Sequence, residues 1–178
     1  MENLAYKDER RFEILNGKIV NMSPGAVANH NRIVVNIVRI FSSFFRGKPC
    51  DVFTDGLDVH FSKKDIFIPD VMIICNKGII KNDGIHGAPD LVVEVLSPST
   101  AQNDRGYKKD TYEKYGVKEY WLVDIKNKSI EIYLLQNEKY ILDNIYSYDE
   151  DEKNESQKFQ VSSFPELTVT LSEVFEKI

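Results

Sequence analysis

Two carboxylates interrupt apolar runs in this chain, and a pair of lysines follows them. In Asp90-Leu91-Val92-Val93-Glu94-Val95-Leu96, Glu94 is the only charge inside the run. Side chains alternate faces along a strand, so Val92, Glu94 and Leu96 share one face and Leu91, Val93 and Val95 the other. Glu94 therefore falls in the middle of an apolar face. A buried carboxylate needs a lysine or arginine, a metal ion or hydrogen-bond donors, or it holds a proton. A buried salt bridge meets that need as well as a functional site does. Asp70 repeats the pattern: it follows Pro69 and precedes Val71-Met72-Ile73-Ile74. If the two strands are neighbours, Asp70 and Glu94 converge and repel each other unless a cation lies between them. Mg²⁺ suits such a place, because it is hard, prefers oxygen and takes one or two carboxylates while keeping several waters. Taken alone, Asp70 reads equally as an aspartate at a strand start.

Lys108 and Lys109 are adjacent, so they point in different directions on a helix. Asp104, Lys108 and Tyr112 are spaced i, i+4, i+8 and share a stripe. That stripe is either a solvated ion pair, worth a few tenths of a kcal/mol, or the means by which Lys108 reaches the carboxylates. Tyr107, Tyr112 and Tyr115 read as packing residues.

Positioning these groups requires strands and helices in a definite order. Asn16-Gly17, between 12–15 and 18–22, is a two-residue hairpin turn, since both residues tolerate positive φ. Ile33, Val34, Ile37, Val38, Phe41, Phe44 and Phe45 follow helical spacing and predict a helix over 28–45, stopped by Gly47 and Pro49. Strands are expected at 51–54, 57–61 and 67–74, followed by a polar loop over 76–88. The stretch 90–96 is a central strand covered on both faces. A second helix spans 102–115 and ends at Gly116. Further strands fall at 119–124, 129–135, 139–145 and 159–161, with an acidic loop over 147–155 and a short helix over 171–178. The order predicts a mixed α/β fold around one sheet, and 178 residues suit a single domain, 1–178.

The chain carries 23 lysines and arginines against 28 acids, a net charge of −5. This excludes a strongly basic nucleic-acid coat, although a local basic strip can still hold nucleic acid. Arg32, Arg39, Arg46, Lys48, Lys63, Lys64, Lys77, Lys81, Arg105, Lys108 and Lys109 are candidates for such contacts. No apolar run reaches the ~18 residues needed to span a bilayer, and the first residues show no signal-peptide pattern, so no membrane partner and a cytoplasmic location are expected. Cys50 and Cys75 form no zinc framework, and a disulfide scaffold is not expected. The absence of P-loop, GxGxxG and triad signatures argues against a nucleotide cofactor and serine hydrolysis.

Pro69-Asp70, then Gly87-Ala88-Pro89-Asp90-Leu91-Val92-Val93-Glu94-Val95-Leu96-Ser97-Pro98-Ser99-Thr100, then Asp104-Arg105-Gly106-Tyr107-Lys108, Tyr112 and Gly116-Val117-Lys118-Glu119-Tyr120-Trp121-Leu122-Val123-Asp124 together resemble the Uma2 (DUF820) family of the PD-(D/E)xK nuclease superfamily. The ends, Phe12-Glu13-Ile14-Leu15-Asn16-Gly17 and Phe164-Pro165-Glu166-Leu167, resemble it too. The resemblance implies a restriction endonuclease-like mixed β-sheet core (αβββαβ) flanked by helices, with an N-terminal hairpin and extra C-terminal strands. It implies a metal-dependent phosphodiesterase, a DNA endonuclease, with Mg²⁺ (Mn²⁺ as substitute) bound by Asp70, Glu94 and the backbone carbonyl of Val95. The superfamily lysine stands two residues after the acid; here that position is Leu96, and Lys108 is the matching lysine, with Lys109 as the fallback. Glu13 and His30 also match family positions, either as structural residues or as additional site residues. A homodimer is implied by superfamily analogy.

Two other readings stay open beside the endonuclease. One is a non-catalytic nucleic-acid or protein-binding module that retains the nuclease fold; Leu96 and the acidic balance favour it. The other is a structural subunit whose acids pair with its lysines.

Overall fold

The computed structural model describes residues 12–21, 28–151 and 157–178. The chain opens with a hairpin, β1 (Phe12–Leu15) and β2 (Lys18–Asn21), whose Asn16 and Gly17 both take positive φ as the turn requires. Helix α1 (Ala28–Phe45) follows, then β3 (Asp51–Thr54), β4 (Val59–Ser62), β5 (Asp65–Phe67), β6 (Val71–Ile74), the short pair β7 (Ile80–Lys81) and β8 (Gly84–His86), and β9 (Leu91–Val95). A helix runs on from there as α2 (Ala101–Asn103), a π-helical turn (Asp104–Lys108) and α3 (Lys109–Tyr115). Strands β10 (Glu119–Asp124), β11 (Ser129–Gln136), β12 (Lys139–Ser147), β13 (Lys158–Val161) and β14 (Phe164–Thr170) precede the closing turn of helix, α4 (Leu171–Val174).

The central sheet has the order β12-β11-β10-β9-β6-β3, with β9 and β10 parallel and every other pair antiparallel. In chain order α1, β3, β6, β9, the α2–α3 helix and β10 form the αβββαβ core of a restriction endonuclease-like fold. Strand alternation sorts the core into two layers. Val71, Ile73, Leu91, Val93, Val95, Trp121 and Val123 pack with Ile33, Ile37 and Phe41 of α1 and with the C-terminal strands. Met72, Ile74, Val92, Leu96, Tyr120 and Leu122 pack on the opposite face with Tyr112, Val59, Phe67 and Ile85. Strands buried on both faces read as unbroken apolar runs, which is why β6 and β9 stand out in the sequence.

Three expectations need correction. The strands do not share one sheet: β4, β5 and β8 belong to a second one, ordered β2-β1-β5-β4-β8-β7, which covers the face that carries Glu94. The expected strand 67–74 is two strands, broken at Pro69, which has no N–H to give to a ladder. The expected loop 76–88 contains the β7–β8 hairpin, closed where Gly84 passes so near the Asp58 carbonyl that a Cβ would lie 2.5 Å from it. In addition, Cys50 and Cys75 form a disulfide, because the antiparallel β3–β6 pair sets their Cα atoms 4.0 Å apart just beyond the pair Asp51↔Ile74. Among the described residues no helix is long and apolar enough to cross a membrane.

Candidate active site

The β6–β9 ladder pairs Val71 with Val93, and the same register carried one residue further sets Asp70 across from Glu94 at the end of the sheet. Proline creates this place: the chain leaves β5 at Phe67, cannot pair through Pro69, and delivers Asp70 beside β9. The Val95 N–H donates to Asp70 Oδ2 at 2.7 Å and pins the carboxylate to the neighbouring strand. His30, in the first turn of α1, brings its Nε2 within 3.3 Å of the same oxygen. Burial pulls the His30 pKa down, but Asp70 and the Val95 carbonyl outweigh it and hold the imidazole above its ordinary value.

Glu94 is 3% exposed and receives two donors on one oxygen. Lys108 Nζ lies 2.6 Å from Glu94 Oε1, and the Tyr112 hydroxyl donates to it at 2.6 Å. Lys108 is itself buried, 3.0 Å from Glu13 Oε1 and 3.5 Å from Asp104 Oδ1. Glu13 reaches in from β1 and accepts the Ile68 N–H at 2.8 Å, a bond that Pro69 leaves outside the ladder. Thus β1, β9 and the helix after β9 all converge on one ammonium.

The π-helical turn lets that helix supply the lysine. Its wide turn keeps both Asp104 and Lys108 buried against the sheet, while Arg105 faces out to Glu131 and the Tyr107 hydroxyl to Asp65. The backbone groups that such a turn displaces find other partners: the Tyr120 hydroxyl donates to the Asp104 carbonyl, and Thr111 Oγ1 to the Tyr107 carbonyl. Single π turns inside helices often mark functional sites.

Four carboxylates, of Glu13, Asp70, Glu94 and Asp104, therefore face one lysine and one histidine. Burial, with Asp104, Asp70 and Glu13 nearby, holds the Glu94 carboxyl well above the ordinary range, and Lys108 offsets only part of this. Burial also lowers the Lys108 ammonium, but Glu94, Glu13 and Asp104 more than reverse that and keep it charged. Asp104 is raised as well, by burial first. The cluster is short of positive charge, and an oxygen-rich set at a strand end fits a hard divalent cation. Among the described residues no three acidic, histidine or cysteine side chains form a ready cage. Mg²⁺ needs only one or two carboxylates and completes its shell with water.

Asp70, Glu94 and Lys108 thus meet in one place, together with Val95 and with Glu13 and His30, which the family resemblance gave as structural or additional site residues. Lys109 does not: its ammonium lies 4.2 Å from the centre of the Tyr133 ring, outside the cluster. Tyr112 was expected only to pack, yet its hydroxyl orients Glu94. Its i+8 spacing from Asp104, through Lys108, was the available signal.

A family model described as "Putative restriction endonuclease", Uma2, matches residues 1–172. The chain belongs to the Uma2 family. It is 31% identical over 136 residues to slr1290, an uncharacterised protein of Synechocystis, covering 74% of this chain and 71% of that protein. A second uncharacterised Synechocystis protein, sll1609, is 29% identical over 118 residues, covering 64% and 66%. Among solved structures, the chain matches a "putative nuclease belonging to DUF820" from Anabaena variabilis. The TM-score is 0.72 at 22% identity, covering 94% of this chain and 90% of that one. That likeness establishes the fold of this Uma2 chain.

Proposed function

We propose that this Uma2 protein is a metal-dependent nuclease that hydrolyses phosphodiester bonds in DNA. The observation that carries the reading is Lys108, supplied from the helix, meeting Glu94 at the strand end beside Asp70. The three form an acid–acid–lysine grouping although Leu96 stands two residues after Glu94. Asp70, Glu94 and the Val95 carbonyl would hold Mg²⁺. When bound, the ion supplies a water of lowered pKa and charge stabilisation for the phosphate. Tyr112, a neutral donor, and Lys108 fix one oxygen of Glu94. Lys108 also places a permanent positive charge where a phosphate oxygen would gain negative charge. Glu13 and Asp104 hold that ammonium in place, and the Val95 N–H fixes the direction of Asp70.

Titrating Mg²⁺ or Mn²⁺ into wild type and Asp70→Ala/Glu94→Ala by calorimetry, followed by a DNA cleavage assay, tests this. Saturable binding and metal-dependent cleavage, both lost in the double variant, are expected. Equal cleavage by the double variant would sink the proposal. The engagement of Lys108 by three carboxylates favours a second reading, a nuclease fold kept as a binding module, which predicts nucleic-acid binding without cleavage in any metal.

A further inference from the structure

From Ile14 to Cys50 the chain has no aspartate or glutamate across 37 residues, but it has Lys18, Arg32, Arg39, Arg46 and Lys48. All 28 acids lie outside this stretch, so an acidic protein carries one basic segment. About half of that segment, 18 of the 37 residues, is α1. Arg32 and Arg39 are spaced seven residues apart, two turns of the helix, so they stand in line about 10 Å apart, and Arg46, seven residues further, lies in the turn just past the helix end at Phe45. All three are exposed, as are Val35, Ser42 and Ser43 on the same side, while Ile33, Ile37 and Phe41 face the core. The first residue of the line, Arg32, lies in the same turn of the helix as His30, which contacts Asp70; two residues apart, the two side chains leave opposite sides of α1.

A shallow cavity of about 450 Å³ runs beside this line, between α1 and Glu176–Lys177. Asn36 Nδ2 donates to the carbonyls of Val174 and Glu176 and fixes the C-terminal turn against the helix. This places the Glu176 carboxylate 2.8 Å from Arg39, where it acts as an exposed counter-ion that a phosphate could replace.

We infer that the outer face of α1 is the track along which the phosphodiester backbone of a nucleic acid lies when a scissile phosphate reaches Asp70 and Glu94. The inference rests on the nuclease reading for its direction toward the site. Arginine suits the task because its planar fork binds phosphate oxygens in pairs. Duplex DNA carries one charge per about 1.7 Å of axis, so several phosphates span the Arg32–Arg46 line.

The test is fluorescence polarisation of the full chain with a labelled 30-base-pair duplex, and with the matching single strand, in EDTA over a range of salt. Arg32→Gln/Arg39→Gln/Arg46→Gln is expected to weaken binding on the order of 10- to 100-fold and to lower the salt slope by about 2 to 3. Glu176→Gln is expected to tighten binding, because it removes the competitor of phosphate at Arg39; an unfolded triple variant would leave this opposite-signed result standing. Lys114→Gln/Lys126→Gln, two exposed lysines on α3 and in the β10–β11 turn, serves as the control and should bind as wild type does. Unchanged binding by a folded triple variant, an equal loss in the control, or no binding by wild type would overturn the inference. Preference for duplex or single strand identifies which backbone the track takes. The catalytic reading fails separately, as binding in EDTA with no cleavage when metal is added. Failure of the track alone leaves cleavage intact with the same KM in the triple variant.

Discussion

Lys108 and Glu94 meet at 2.6 Å although one lies on a helix and the other on the central strand beneath it. Each depends on the other: Lys108 is the only lysine or arginine within ion-pairing distance of Glu94, Glu13 and Asp104 among the described residues. Lys108→Met should therefore destabilise the protein by about 3–5 kcal/mol, the usual cost of leaving a buried charge unpaired, and abolish cleavage. The sign of its pH dependence follows. In wild type the lysine's folded pKa lies above its unfolded value, so its contribution is complete below the unfolded value and constant from pH 5 to 8. In the variant Glu94 and Asp104, already raised by burial in wild type, lose the ammonium that offsets part of that rise, so stability falls more steeply as pH rises. Thermal melts from pH 5 to pH 8 should show a Tm deficit that widens with pH; a small, constant deficit would contradict the arrangement.

Tyr112 donates to the same oxygen from a fully buried position. Tyr112→Phe keeps the ring contacts with Phe61, Phe67 and Tyr120 and removes only the hydroxyl. A hydrogen bond to a charged acceptor contributes about 1.5–3 kcal/mol. The variant should lose that much in denaturant titration and weaken divalent-ion binding, since Glu94 is then held by Lys108 alone. A midpoint equal to that of wild type would assign Tyr112 to packing only.

How much of this was legible in the sequence depended on the range of the interaction. Helix α1, the Asn16-Gly17 turn and β10 are local: periodicity and turn chemistry define them, and their ends agree with the structure. Asp70 and Glu94 stood out because each breaks an apolar pattern. The division into separate sheets did not show, because the short strands β4, β5, β7 and β8 read alike whichever partners they find. The reach of Lys108 was open in the sequence, since the Asp104–Lys108–Tyr112 stripe fits a solvated ion pair equally well and a π turn leaves no periodic mark. The Cys50–Cys75 pairing and the Glu13–Ile68 bond join residues 25 and 55 positions apart, and only the β3–β6 register and the proline break bring them together.

Glu94 should show a conflict between stability and function. Its folded carboxyl pKa is raised by burial, so the ionised form opposes folding above that pKa. Below the unfolded value the group is protonated in both states and the penalty vanishes. Glu94→Gln keeps an acceptor for Tyr112 and Lys108 without the charge. In the absence of divalent ions it should melt above wild type at pH 7.5, and the difference should disappear as pH falls through the carboxylate range. The same variant should not cleave DNA. A Tm below wild type at pH 7.5 would mean that Lys108 fully compensates the Glu94 charge.

The disulfide ties β3, the edge strand of the central sheet, to β6, at the end of that pair opposite Asp70. Closing a loop of this length removes conformational freedom from the unfolded chain worth about 3 kcal/mol. Reduction, or Cys50→Ser/Cys75→Ser, should lower stability by roughly that amount and Tm by several degrees. Asp70 should keep its geometry, because its contacts to Val95 and His30 do not pass through the cysteines. Metal titration of the reduced protein below its Tm should then match that of the oxidised protein. A fall in metal affinity on reduction, with the fold intact, would show instead that the crosslink sets the position of the site.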